Sequence, residues 1–541
     1  MKRNWIALGI GAVVMTTSTV VWAAPDAGAQ LNQDRTFFER QQIERQMEEE
    51  MQRDRGDMVQ QVAPEDAEAT QNDVAFVLND IVFDRSSVLT EEELDALKKP
   101  YLHTSLTLKK LYALVDEINA LYEQKGYVVC RAGIAPQTIR GGVMKISLME
   151  GKTGFVTVEG NDSTSESYIT DRLPLKEGTV ASLAELNDDV LWFNGTNDVQ
   201  LRVRLTAGHR EGTTDYEIFA FEPPREVWNL FTDSAGAESS GEWRGGLSFY
   251  NASLTGHRDR LMLGSLFSDG VKSGSVQYST PIGKRGDRIG VSFAANSVHT
   301  KHGELAPLDV RGHSSAVGLT YTMPLAVTKN HKAEAGLAVT HQNSKTNFLN
   351  YAWIDDSITN VTGSLSFFDY GDNSVFYHSH SYTVGDWEDI EAKEKTYSKY
   401  NLTMMYQKLN RDKSLLTARL YGQAAFNHYL ASSEQFYIGG MYSVRGYEEN
   451  FLSADSGISA NVEWRIPDTR RSEWILFADG GVVLGHNQYQ DHFLASVGGG
   501  YHWKFAPTAS MTVLLGVPLQ RDYNGERVDA MRLHAMANYQ F

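Results

Sequence analysis

The last eleven residues of the chain alternate without a break. Met531, Leu533, Ala535, Ala537, Tyr539 and Phe541 fall on one face of an extended strand, and Arg532, His534, Met536, Asn538 and Gln540 on the other. Successive side chains of a strand point to opposite faces, so this run has one apolar and one mixed, more polar surface. The pattern recurs through residues 225–541, punctuated by Gly, Asn, Asp and Ser. Trp243, Gly245, Leu247 and Phe249 alternate with Arg244, Gly246, Ser248 and Tyr250, and Met511, Val513, Leu515, Val517 and Leu519 share a face. Such strands suit a soluble sandwich or propeller, or the wall of a membrane barrel. No run after residue 23 approaches the roughly 18–20 apolar residues of a helical span. Within lipid, backbone N–H and C=O groups must be paired inside the protein, which leaves helices and closed barrels. A barrel strand needs only about 9–11 residues, half of them apolar. A mean hydropathy of −0.36 is therefore compatible with a membrane protein made of strands.

The N-terminus chooses between these. Lys2 and Arg3 precede an apolar run, Ile6 to Met15, that softens through Thr16, Thr17, Ser18 and Thr19. Val21-Trp22-Ala23 places small residues for cleavage before Ala24. Residues 1–23 read as a signal peptide, the run being too short for an anchor. Export favours the membrane barrel over a soluble β fold. So does the end on Tyr539 and Phe541, an aromatic terminus of the kind that barrel-assembly machinery reads. The 50 basic residues stand against 68 acidic ones, a net charge of −18, which argues against nucleic acid as a partner. The single cysteine, Cys130, excludes a disulfide framework and a Cys-rich metal site. It sits in an apolar run and reads as core.

Between leader and barrel lie four shorter segments. Residues 24–57 hold a polar helix, spanning about Leu31–Arg55, with Phe37, Phe38, Ile43, Met47 and Met51 scattered among charges. Arg45–Glu49 and Glu49–Arg53 are spaced to pair at i,i+4. A helix this polar belongs in water or in a water-filled cavity. Residues 58–73 lack periodicity and read as a linker. In residues 74–151, Phe76–Leu78, Ile81–Phe83, Tyr127–Ala132 and Val143–Met149 read as strands. Leu111, Leu114, Val115, Ile118, Leu121 and Tyr122 mark one face of a helix ended by Gly126. Residues 152–224 repeat the unit in reduced form. Strands are expected near Phe155–Glu159, Val199–Leu205 and Tyr216–Ala220, helices near Tyr168–Leu173 and Leu183–Trp192, and a stiff hinge at Pro223-Pro224. The sheet edges of such modules can accept an extended chain.

The stretch LTLKKLYALVDEINALYEQKGYVVCRAGIAPQTIRGGVMKISLMEG resembles the first polypeptide-transport-associated (POTRA) domain of TpsB transporters. These are outer-membrane pores of two-partner secretion, of the ShlB/FhaC/HecB kind, within the BamA superfamily. Gly126-Tyr127, Ala135-Pro136-Gln137 and Glu150-Gly151 carry much of the likeness. The barrel half adds a second resemblance. Gly439-Gly440-Met441-Tyr442-Ser443-Val444-Arg445-Gly446-Tyr447 matches the VRGY signature, and Phe477-Ala478-Asp479-Gly480-Gly481 resembles the F-x-D-x-G motif.

The resemblance implies a mainly β fold: a 16-stranded transmembrane β-barrel over residues 225–541, two α/β POTRA domains and an N-terminal helix. At about 20 residues per strand and connection the length agrees, and such a barrel encloses an aqueous lumen. It implies that residues 24–57 plug that lumen at rest. It also implies that the VRGY loop folds inward and that Arg445 latches onto Asp479, with Val444, Gly446, Tyr447, Phe477 and Gly481 in support. An arginine fork suits a carboxylate in a wet lumen, where a loop has little apolar surface to bury. Glu448, Glu449 and Asp455 are alternative partners nearer in sequence.

The implied function is passage of an unfolded exoprotein from the periplasm to the cell surface without ATP, there being no P-loop. The implied partners are a TpsA-type exoprotein (a large β-helical adhesin, cytolysin or toxin), the barrel-assembly machinery during biogenesis, and outer-membrane lipid. No catalytic, metal or cofactor residues are assigned. His378 and His380 share a strand face without a third ligand, and Asp386, Glu388 and Asp389 read as a solvated acidic loop. The alternatives are a barrel-assembly factor of the BamA/TamA type, which usually carries more POTRA modules, and a rim hydrolase, for which no G-x-S-x-G or H-E-x-x-H motif is present.

Overall fold

The computed structural model describes residues 26–53, 58–61, 75–426, 429–485, 492–523 and 526–541. The proposed signal peptide lies outside them, as do residues 54–57 and 62–74. The described residues form two units, one holding the N-terminal helix and the barrel, the other the two modules.

In the first module, Thr90 opens the helix Glu91–Lys98 with a capping box. Its hydroxyl accepts from Glu93 N–H, and the Glu93 carboxylate accepts from Thr90 N–H. The longer helix Leu108–Gln124 buries Leu111, Leu114, Val115, Ile118 and Tyr122, the expected apolar face. They pack on a three-stranded sheet in the order Asp80–Phe83, Val143–Met149, Arg131–Gly133. Residues 127–130, expected as strand, are instead a turn. Gly126 takes φ +84°, Tyr127 N–H donates to the Tyr122 carbonyl, and Cys130 N–H donates to the Tyr127 carbonyl. The helix end thus claims the backbone groups that a strand would have offered. Cys130 is buried in this core, and burial pushes its thiol up to about 12.

The residues that carry the likeness to POTRA domains tie the module together. Gln137 acts as a strand partner in miniature, its carboxamide accepting from Lys145 N–H (2.9 Å) and donating to the Lys145 carbonyl (2.6 Å). Glu150 accepts from the Ser86 hydroxyl, from Ser87 N–H (2.8 Å) and from the Tyr122 hydroxyl (2.9 Å). Burial pushes the Glu150 carboxyl up, but these donors outweigh it and hold it below the usual carboxylate range.

The second module packs the helix Leu183–Thr196, through Leu186, Val190 and Phe193, on a sheet in the order Val59–Gln61, Gln200–Ala207, Thr213–Phe221, Lys152–Glu159. The first of those strands falls in the expected linker. Val59, Gln60 and Gln61 pair parallel with Val203, Arg204 and Leu205, so part of the supposed linker is an added strand. Three residues are too few to show a period, and an edge strand is held by its neighbour's backbone.

Residues 226–541 close into a barrel of sixteen antiparallel strands among the described residues, from Glu226–Asp233 to Arg532–Gln540. Closure comes from the terminal run. Tyr539 pairs with Leu230, and Phe541 and Trp228 exchange backbone hydrogen bonds at 2.9 and 3.0 Å. Exposed Leu230, Leu247, Val317, Leu337, Trp474, Leu515 and Leu533 lie on the outer face, as a lipid-facing wall requires. Closed pairing removes both sheet edges and satisfies the backbone within the wall.

The N-terminal helix, Ala27–Gln52, stands inside this barrel. At about 1.5 Å per residue its 26 residues run about 39 Å, enough to cross the hydrocarbon thickness. Its start meets inward-facing groups near one rim. Ala27 N–H donates to Thr346 Oγ1, Asn296 Nδ2 donates to the Ala27 carbonyl, and the N-cap Asp26 accepts from Gly28 N–H and from the hydroxyls of Ser344 and Ser432. Near the other rim Met47 is buried among Phe368, Val375, Tyr377, Met405 and Tyr421.

Candidate functional site

The lumen is filled by two elements, the helix and the segment 429–455. The expected i,i+4 pair Arg45–Glu49 is present at 3.1 Å, whereas Arg53 pairs with Glu50 rather than Glu49. Other helix charges meet the wall and the loop. Glu44 pairs with Arg419 at 2.8 Å, and Arg40 stacks over Tyr421 and donates to the Tyr442 carbonyl. Phe37 sits against Phe231, Phe38 and Tyr442, with the Arg244 guanidinium over its ring. A cavity of about 650 Å³ remains beside the helix, lined by Arg40, Glu44, Lys399, Arg419, Glu463 and Arg465 among others.

The loop is seated by Arg445. Its Nε donates to Asp479 Oδ2 at 2.9 Å and its Nη2 to Asp479 Oδ1 at 2.8 Å, a bidentate fork. Its backbone N–H donates to the same carboxylate at 3.0 Å, and Nη1 reaches Glu463 Oε2 at 2.6 Å. The guanidinium lies 3.6 Å from the centre of the Phe477 ring. Asn461 is the cross-strand partner of Asp479, and its amide donates both to Asp479 Oδ1 (3.0 Å) and to the Ser443 carbonyl.

The spacing of F-x-D-x-G follows from strand geometry. Phe477, Asp479 and Gly481 alternate along Ser472–Leu484, so all three face the lumen. Phe477 is the platform under the arginine and Asp479 the acceptor. Gly481 leaves room for the loop, since a Cβ there would stand 3.3 Å from both Ile438 and Val444. Val444 is fully buried in a cluster with Ile438, Tyr447, Phe451, Val483, Leu494 and Tyr523. The Tyr447 hydroxyl lies 3.0 Å from the Ala495 carbonyl and 2.9 Å from that of Gln520. Gly446 takes φ +111°, and its absent Cβ would stand 3.1 Å from Pro518 N. Only glycine fits this backbone without strain.

The three alternative partners lie elsewhere. Glu449 accepts from Met441 N–H, Asp455 accepts from Leu430 N–H, and Glu448 stands 3.9 Å from Arg532. Sequence reasoning missed Glu463 and Asn461, which lie on a neighbouring strand with no motif of their own. It also missed the buried pair Asp233–Arg244 (2.8 Å), whose arginine meets the helix. Strong charges at inward positions of half-polar strands were the available signal. His378 and His380 approach at 2.9 Å on the same face as exposed Tyr382 and Val384, with Phe367 stacked on His378. Asp389 shapes a turn, accepting from the N–H groups of Glu391 and Lys393 and pairing with Lys395. Tyr539 and Phe541 face outward beside Trp228.

A closed barrel holding its own helix and an arginine-anchored loop, preceded by POTRA modules, defines a TpsB-type outer-membrane transporter of the BamA superfamily. The chain belongs to the family of haemolysin secretion/activation proteins ShlB/FhaC/HecB, which matches residues 223–503, and residues 76–151 match the ShlB-type POTRA domain. The heme/hemopexin transporter protein HuxB of Haemophilus influenzae is 25% identical, over 94% of both chains. The outer membrane transporter CdiB of Dickeya dadantii is 24% identical, over 81% of both. The solved structure of CdiB from Escherichia coli covers 97% of this chain and is itself wholly covered, with 18% identity and a TM-score of 0.67. The protein resides in the outer membrane and transports a secreted exoprotein by way of its POTRA domains.

Proposed function

We propose that the Arg445–Asp479 contact is a latch that holds the loop in the lumen and that the N-terminal helix is a removable plug. The observations that carry this reading are the buried Arg445–Asp479 fork that seats the loop and the ion pairs and ring contacts that the helix makes with the wall beside its apolar contacts at Phe37 and Met47. The charged side chains of this helix, Glu44 on Arg419 and Arg40 over Tyr421 among them, regain water when it withdraws, which offsets part of the cost of exposing Leu31, Phe37 and Met47. An exoprotein arrives unfolded in the periplasm, is held by the POTRA modules through strand addition, and enters the barrel as the helix withdraws. The partner is a large exported protein of the TpsA kind, an adhesin, cytolysin or toxin. Its folding outside the cell supplies the drive and prevents back-slipping, so no nucleotide is consumed. During biogenesis the terminal strand with Tyr539 and Phe541 is offered to the barrel-assembly machinery. The loop motif is compatible with a barrel-assembly factor too, but the match to the secretion family favours transport. The chemistry of the partner stays outside this protein, whose part is conduction rather than catalysis. The test is co-expression with an exoprotein encoded beside this gene. Release into the medium that stops when this protein is deleted supports the reading, and release that continues refutes it.

A further inference from the structure

The outer wall of the barrel carries a chain of polar side chains that neither the loop nor the helix uses. His331 Nδ1 lies 2.7 Å from Asp369 Oδ1, and His378 Nε2 lies 3.6 Å from Asp369 Oδ2. His378 Nδ1 lies 2.9 Å from His380 Nε2, and His380 Nδ1 lies 2.6 Å from the Tyr400 hydroxyl. The five residues come from four adjacent strands, His331–Phe348, Tyr351–Gly371, Ser374–Glu388 and Glu394–Leu409. All five face away from the lumen. His378 and His380 alternate in step with exposed Tyr382 and Val384, Asp369 with exposed Val361 and Leu365, and His331 with exposed Leu337 and Val339, while Tyr400 stands opposite Tyr382. Phe367 and Phe376 both stack on the His378 ring.

The first barrel strand, Glu226–Asp233, follows the POTRA modules in the chain and so starts at the periplasmic rim. Antiparallel alternation puts the turns at 328–330 and 372–373 on that rim too. The polar chain begins beside these turns, at His331 and Asp369, and runs into the wall. His380 stands opposite exposed Leu365, within the apolar band that faces lipid. Ionisable groups at such a depth are costly unless paired, and they mark function by default. Elsewhere on the same rim an outward carboxylate takes a single tyrosine, Asp287 from Tyr321 at 3.1 Å and Asp468 from Tyr501 at 2.8 Å.

The partners assign the protons along the chain. Tyr400 O–H donates to His380 Nδ1, His380 Nε2–H donates to His378 Nδ1, His378 Nε2–H is directed at Asp369, and His331 Nδ1–H donates to Asp369. Every N–H and O–H of the chain then faces an acceptor within it. What remains at the rim is acceptors, His331 Nε2 and the free lone pairs of Asp369, whose side chain is 46% exposed. A negative charge flanked by a further acceptor calls for a cation rich in N–H groups. We propose that this face binds a phospholipid of the periplasmic leaflet whose headgroup ends in a primary ammonium, as that of phosphatidylethanolamine does. The ammonium donates to Asp369 and to His331 Nε2, in charge-assisted hydrogen bonds at the edge of a low-dielectric medium. A choline headgroup brings the same charge without an N–H. A glycerol headgroup brings hydroxyls but leaves an uncompensated phosphate beside Asp369.

The test counts retained lipid. Purified full-length protein in detergent is given dioleoyl phosphatidylethanolamine, phosphatidylcholine or phosphatidylglycerol at equal concentration, and bound lipid is read by native mass spectrometry. The wild type is expected to retain phosphatidylethanolamine about tenfold better than either of the others. Asp369→Asn is expected to lower that retention about tenfold. Asp287→Asn removes a carboxylate from the same rim outside the polar chain, and is expected to leave retention unchanged. Equal retention of the three lipids by the wild type, full retention by Asp369→Asn, or equal loss in both variants overturns the proposal. A second measurement uses the wild type alone and covers a variant that does not fold. Its unfolding temperature is expected to rise with added phosphatidylethanolamine and to stay level with added phosphatidylglycerol, since a ligand stabilises the state that binds it. A temperature that both lipids shift equally, or that neither shifts, overturns the proposal.

Discussion

Replacing Arg445 by alanine separates a latch from an ornament. The guanidinium is 5% exposed and the side chains of Asp479 and Glu463 are 0% and 6% exposed, so the substitution strands two carboxylates away from water. Asp479 keeps Asn461 and Ser496, and Glu463 keeps Arg465, so neither is left without a partner. Leaving a buried charge uncompensated costs about 3–5 kcal/mol, and the partners that Asp479 and Glu463 keep make this the upper limit here. At about 1.4 kcal/mol per factor of ten, the ratio of docked to undocked loop falls by at most about two to three and a half orders of magnitude. Arg445→Lys keeps the charge but cannot span both Asp479 oxygens and Glu463, and is expected to fall between wild type and alanine. Two readouts are needed. Hydrogen exchange of residues 439–455 reports docking, and release of the co-expressed exoprotein reports transport, with a heat-modifiable band on gels showing that the barrel is intact. Arg445→Ala is expected to speed exchange in the loop and sharply reduce secretion. Adding Asp479→Ala is expected to cost less than the sum of the single changes, since the two residues share one interaction. Exchange and secretion at wild-type levels would refute the latch.

Three further outcomes follow from other parts of the molecule. Deleting residues 27–52 removes the helix from the lumen and is expected to raise single-channel conductance in planar bilayers; an unchanged trace would count against the plug. Gly446→Ala leaves every Arg445 contact in place but forces a side chain onto φ +111° beside Pro518, a strain of about 1–3 kcal/mol. Loop exchange is expected to rise while the Arg445 partners stay unaltered, and normal exchange would show that the turn tolerates a Cβ. In the first module, the Glu150 carboxyl is held below its unfolded value, so its contribution to stability is present above that value and lost as pH falls through the folded one. Labelling of Cys130 by dithiodipyridine, which reacts in acid, is expected to be slow at neutral pH and to quicken below about pH 4, and Glu150→Gln is expected to flatten that dependence.

Much of the architecture is legible in the residues because the barrel obeys a rule of period two. Met531 to Phe541 alternate in sequence and in space, and the outward residues are the apolar ones. The helix Leu108–Gln124 is equally plain, its buried face being the periodic one. Other parts were hidden for physical reasons. The lumen helix shows no apolar stripe because its surroundings are mixed: Leu31, Phe37 and Met47 fill separate apolar patches, and charges between them pair with the wall, as Glu44 does with Arg419. Residues 127–130 are apolar enough for a strand, but the hydrogen-bonded helix end takes them. Residues 59–61 make a strand only because Gln200–Ala207 offers them an edge. In the site, Asp479 sits in a motif with alternate residues facing one way. Glu463 and Asn461 reach Arg445 from a neighbouring strand, a proximity that register creates and one sequence read alone does not show.

Transport through the lumen can be measured directly. The purified full-length protein is reconstituted into liposomes with its POTRA domains outward, and the unfolded N-proximal segment of the exoprotein is added outside without nucleotide. The account predicts that the segment becomes protected from added protease in these liposomes and not in empty ones, and that Arg445→Ala greatly reduces the protected fraction. Protection that is absent, or that appears only when a nucleotide is supplied, would contradict it.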